Sequence, residues 1–227
     1  MRYPAYALVM VLLPGCGGFR GGIESVPYIV GQEPPESSAH HRLPHEVRFA
    51  ELTLHLSLNN AVRTYQYEVM LFVIPTYLNL WDTFERQDAE HFEITLQVTA
   101  HDSAVVVDPQ HIVLTVEDEE VRPVGVWVNN LERERQVIET YVSARRRAPA
   151  DHPPAVPRSS EWRDAVTAPE MVGPGGPSPR FIVTFPGSLP SPERTLSLDL
   201  SRSILAPTLP EKPLIRFKAL RWSEGYS

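Results

Sequence analysis

The sequence predicts a mainly β protein, an antiparallel β-sandwich, and three observations carry that expectation. Apolar and polar residues alternate over about eight short segments, the period of a strand with one buried face. The 23 prolines fall mostly between those segments, where they remove no ladder hydrogen bond. Helical spacing is confined to two stretches, too little for a helical bundle.

In chain order, residues 1–15 come first. Met1-Arg2 supplies a positive start, and Ala5 to Leu13 is an apolar run interrupted only by Tyr6. A bilayer span needs about 20 apolar residues, so this run is an export signal and not a transmembrane helix. Leu13-Pro14-Gly15-Cys16 follows, with leucine three places before the cysteine and glycine directly before it. This stretch resembles the lipobox of bacterial lipoproteins, with Pro14 in place of the usual small or hydroxylated residue. The resemblance implies cleavage before Cys16, a diacylglyceryl group on its thiol and a fatty acid such as palmitate on the new amino group. It implies no cofactor, and a lipid bilayer as the partner held through acylated Cys16. Gly17, where an aspartate would retain the protein at the inner membrane, implies the outer membrane, with the body facing the periplasm or the cell surface. Two acyl chains suffice for stable attachment, at about 0.8 kcal/mol per buried methylene.

Residues 16–45 read as a lipidated, flexible tether. Gly17, Gly18, Gly21 and Gly22 surround Phe19 and Arg20, and Pro27, Pro34, Pro35 and Pro44 break any period. At most an edge strand is expected at Val26–Val30.

The β-sandwich domain, immunoglobulin-like or related, then spans 46–227. Leu52, Leu54, Leu56 and Leu58 alternate with polar residues, and a second strand runs from Tyr65 to Ile74. Asn79–Gln87 places Leu80, Trp81 and Phe84 at helical spacing, a short helix capping the sandwich. Phe92, Ile94, Leu96 and Val98 mark the cleanest strand. Ile112–Val116 and Val124–Val128 follow, with Glu117–Glu120 as the polar turn between them. Residues 130–179 form a long insertion. Asn130–Arg147 is expected as a helix lying on the sheet, and Ala148–Pro179, with eight prolines, as an extended, disordered loop open to proteases. Strands at Arg180–Phe185, Arg194–Leu200 and Leu214–Trp222 complete the domain. Trp127 and Trp222, near strand ends, are expected to close the core.

No residue pattern selects a reaction, and no catalytic residue is expected. Pro186-Gly187-Ser188-Leu189-Pro190 lacks the second glycine of a nucleophile elbow. Gly173-Pro174-Gly175-Gly176 lacks the Lys-Ser/Thr ending of a phosphate loop. No metal site is expected. His40, His41 and His45 lie close in sequence, but a proline-rich spacer fixes no ligand geometry. His55, His91, His101 and His111 read as polar-face residues, and Glu117–Glu120 lacks the glycine of a calcium loop. The single cysteine excludes an internal disulfide and a multi-thiolate metal site. A net charge of −7 and no basic run beyond Arg145-Arg146-Arg147 exclude a nucleic-acid partner.

The expectation is a non-catalytic envelope lipoprotein that binds an envelope protein partner, with Tyr77, Trp81 and Phe84 as a possible contact loop. Besides a hydrolase, which would require a cleft with converging polar residues, two alternatives stand beside it. One is a carbohydrate or lipid carrier, its pocket lined by Tyr65, Tyr67, Trp81 and Phe84. The other is an accessory lipoprotein of a secretion machine, because the architecture resembles the small β-sandwich lipoproteins of type VI systems.

Overall fold

A computed structural model describes residues 17–36, 44–70, 74–78, 90–149, 152, 154–207 and 214–226. The expected fold class holds: the chain is mainly β, in three antiparallel sheets. With strands numbered in chain order, the largest sheet holds β5 (Ile74–Leu78), β4 (Val62–Met70), β1 (Gly17–Ile29), β16 (Leu214–Tyr226), β14 (Leu196–Asp199), β8 (Val113–Val116) and β9 (Glu119–Val121), in that spatial order. The second holds β11 (Arg163–Ala165), β10 (Gly125–Asn129), β13 (Arg180–Pro186), β6 (His91–Ala100), β3 (Leu52–Ser57) and β2 (Glu46–Arg48). A third, small sheet is β12 (Glu170–Val172), β7 (Val105–Val107) and β15 (Ile204–Leu205). Among the described residues one α-helix, α1 (Leu131–Arg147), joins β10 to the strands that follow.

Alternation decides which face each strand buries. Leu52, Leu54 and Leu56 of β3, Ile94, Leu96 and Val98 of β6, and Phe181, Val183 and Phe185 of β13 turn inward from the six-stranded sheet. They meet Leu114, Leu196, Leu198, Ile215 and Phe217 of the seven-stranded sheet in one continuous core. Val105, Val107, Val172 and Ile204 bring the small sheet into the same core. Phe92 and Phe185, paired across β6 and β13, stack with ring centroids 5.6 Å apart.

A second, smaller core involves the opposite face of β16. Phe217 faces the main core, whereas Leu220, an odd number of residues on, packs with Val26 and carries Trp222 against it. β14 pairs with β16 only over Leu214–Phe217. Beyond that point β16 pairs with β1, and β1 over Gly17–Ile23 pairs with β4. The sheet therefore continues past the body as a four-stranded ribbon, β5–β4–β1–β16.

That ribbon corrects the tether expected at 16–45. Gly17–Ile29 is a strand, with Gly21, Gly22, Ser25 and Val26 buried. The glycines serve close packing rather than freedom. A Cβ on Gly22 would lie 2.0 Å from the Val62 carbonyl oxygen, at a register shift between Gly21 and Gly22 where β4 presses in.

Five further expectations need correction. The strand expected over Tyr65–Ile74 is the two arms of a hairpin, since Met70 pairs with Ile74; an unbroken apolar run hides such a turn. Only Glu117 and Asp118 form the turn after β8, with Glu117 at a left-handed φ of 58°, and Glu119-Glu120 already belong to β9. Helix α1 does not lie on the sheet. None of its residues is buried, because its glutamates and arginines leave only a narrow apolar arc. The insertion is not an open loop throughout: β11 pairs with β10, β12 pairs with β7, and Val166 and Val172 reach the core. Trp127 lies outward on β10, 37% exposed, instead of closing the core. The capping helix expected at Asn79–Gln87 lies outside the described residues.

Candidate functional site

The small sheet carries the candidate site on its outer face. Its central strand is three valines, so alternation buries Val105 and Val107 and leaves Val106 facing out. Val106 pairs with Met171 of β12 on one side and with Leu205 of β15 on the other. Met171 is 77% exposed and Leu205 61%, so three apolar side chains stand in a row across the sheet. A contiguous apolar row is less common on a water-facing surface than scattered apolar residues.

Beside the row opens a groove of about 530 Å³, bordered by Val106, Leu205 and Pro169. Its polar wall comes from two turns. After β7, Asp108 caps a single helical turn at Pro109–His111 by accepting from the Gln110 amide at 3.3 Å. The same carboxylate meets His111 Nδ1 at 3.0 Å. The second turn, Ser201–Ser203, is tied to the first where the Asp108 amide donates to the Ser203 carbonyl at 2.6 Å. Arg202 lies on this wall, exposed, and makes no ion pair among the described residues. The Ser203 hydroxyl is buried and finds no partner among the described residues.

Asp108 orients His111, which is half of an acid–base relay. No described hydroxyl is hydrogen-bonded to His111, and Ser203 Oγ in the same wall is buried. What the groove offers is an apolar lip, a guanidinium without an ion pair among the described residues, and an imidazole paired with a carboxylate.

Other polar clusters fix the architecture. Glu24 of β1 accepts from His45 Nε2 at 3.1 Å, bridging the two larger sheets. That hydrogen bond raises the His45 pKa above its ordinary 6.5, against a smaller opposing effect of burial. His55, whose ring centroid lies 5.8 Å from that of His45, is lowered by burial first and by the His45 charge second. Asn60 donates to Ser25 Oγ at 2.8 Å and to the Pro190 carbonyl at 3.0 Å, holding β1 against the loop before β14. Arg163 grips Glu93 with two bonds of 2.6 and 3.0 Å. Asn130 caps α1 by accepting from the Arg133 amide, and both residues donate to Asp164. These two donors hold the Asp164 carboxyl below the usual carboxylate range.

Of the residues singled out in the sequence, Cys16 directly precedes the first described residue, Gly17. Tyr77 lies on β5, in register with Tyr67 of β4. Trp81 and Phe84, like His40 and His41, lie outside the described residues, so the contact loop is not assembled here. The groove itself was missed. Asp108-Pro109 after three valines is a strand-end signal, but its meeting with Ser201–Ser203 depends on long-range pairing. No protein-family description, curated protein or solved structure matches this chain.

Proposed function

We propose that this chain is a bacterial envelope lipoprotein, anchored by acylated Cys16 in the outer membrane, whose body binds a protein partner and does no catalysis. The lipobox-like Leu13-Pro14-Gly15-Cys16 supports the anchor. Among the described residues no helix is long and apolar enough to cross a membrane. The single observation that carries the binding role is the exposed row Met171–Val106–Leu205 beside the Arg202 groove. The partner this chemistry fits is a protein segment presenting an apolar side chain next to a carboxylate. Three such apolar anchors contribute on the order of 5 kcal/mol before the cost of association, enough for a reversible contact.

Two experiments test the reading. Cys16→Ser abolishes labelling by a radioactive fatty acid; labelling that persists shows the lipid to be elsewhere. For the face, a photo-crosslinking residue at Leu205 captures one companion protein in intact cells, and the same residue at exposed Val124 does not. Met171→Asp reduces that capture about tenfold, the loss of one buried anchor of about 1.4 kcal/mol. Equal capture from both positions would sink the proposal.

A further inference from the structure

We infer that the β5–β4–β1–β16 ribbon is a spacer that stands on the bilayer end-on and holds the body at a set height above it; this rests on the acylation of Cys16 proposed above. If Cys16 carries the lipid, its backbone lies at the membrane surface. The next residue, Gly17, already pairs with Val69 of β4, and Gly18 pairs with both Glu68 and Tyr226. No slack separates the anchor from the sheet, so the lipid fixes the end of a ladder instead of the end of a leash.

The composition of that end agrees. Gly17, Val69, Met70, Ile74 and Tyr226 occupy the terminal register positions of the four strands, and none is charged. An uncharged edge with a tyrosine suits the boundary between headgroups and acyl chains. The body reaches the other end of the ribbon at Leu220, whose ladder partner Glu24 is bonded to His45. Six residues on from Leu220 lies Tyr226, and at about 3.3 Å per residue the ribbon lifts the body by roughly 20 Å. The smaller core of Val26, Leu220 and Trp222 and the Asn60 bonds to Ser25 and Pro190 brace the ribbon where it leaves the body.

Energy transfer to a labelled bilayer tests this. Cys16 is the chain's single cysteine and its thiol is blocked by lipid, so an introduced cysteine takes a fluorophore alone. Arg221→Cys and Arg216→Cys, both exposed positions of β16, are made in the full chain. The processed protein is purified from membranes and placed in vesicles of phosphatidylethanolamine and phosphatidylglycerol carrying a rhodamine lipid. Position 221 should lie nearer the acceptor plane than position 216 by up to about 17 Å, five strand residues. A flexible Gly-Ser segment inserted between Cys16 and Gly17 should erase that difference. Equal distances in the acylated protein without the insertion would overturn the spacer while leaving the anchor standing. A chain that mass spectrometry finds unacylated, and that does not bind the vesicles, would overturn the anchor itself and the spacer with it.

Discussion

Gly22 shows how much one side chain can decide. Its missing Cβ lets the Val62 carbonyl approach to a distance no other residue permits. Gly22→Ala should cost about 2 kcal/mol, within the range for overpacking, and urea denaturation measures it; an unchanged midpoint would mean β4 can step aside. The Glu24–His45 pair makes a pH-dependent prediction. The His45 pKa is higher folded than unfolded, so the stabilisation is complete below pH 6.5 and is lost as pH rises through the raised value. His55 acts with the opposite sign, present above pH 6.5 and lost as pH falls through its lowered value. Glu24→Gln removes the first contribution. The melting-temperature gap between wild type and variant should be widest near about pH 6 and shrink by about pH 9. A gap that ignores pH would show that the pair does not titrate in this way.

Among the elements, those with a long alternating pattern were legible and those set by their neighbours were not. β6 is readable because Phe92, Ile94, Leu96 and Val98 bury one face while Glu93, Thr95 and Gln97 stay half-exposed on the other. Helix α1 is readable from its spacing and from the capping Asn130, but its stance is not, since a packed and a projecting helix share that periodicity. β2, β7, β11 and β12 are three residues long and β15 two, too few for any period to show. The candidate groove shares this fate, because its two walls lie some 90 residues apart and meet only through β7 and β15. Gly17–Ile29 was misread because glycine in a sequence signals freedom, whereas here neighbouring strands use its small size. Arg163 tests the insertion. Its two bonds to Glu93 span from β11 to β6, and Arg163→Ala should cost about 1–2 kcal/mol, near the low end because Glu93 is partly exposed. Tryptic cutting between Arg147 and Arg163 should quicken in parallel. Unchanged cutting would show that pairing with β10 alone secures this segment.

At the scale of the whole molecule, two larger sheets and a small third share one core, and the strands that begin and end the described body run side by side. Met171, Val106 and Leu205 belong to segments far apart in sequence, so the exposed row exists only when all of them have folded. Removing residues 218–226 should leave the main core intact, because Ile215 and Phe217 remain, yet strip β1 of most of its ladder. Circular dichroism would then retain most of the β signal while protection of the Glu24–Val26 amides vanishes. Loss of all β signal would mean that the ribbon and the body fold as one.

The pairing of β1 with β16 also orders events in time. Ribosomes make the amino end first, and Glu24–Ile29 has a single ladder partner, Ile215–Leu220, made some 190 residues later. Until then that early stretch offers bare amides and carbonyls to any passing strand. That exposed edge closes only when the late strand arrives, whereas the main core, which uses nothing beyond Phe217, can form without residues 218–226.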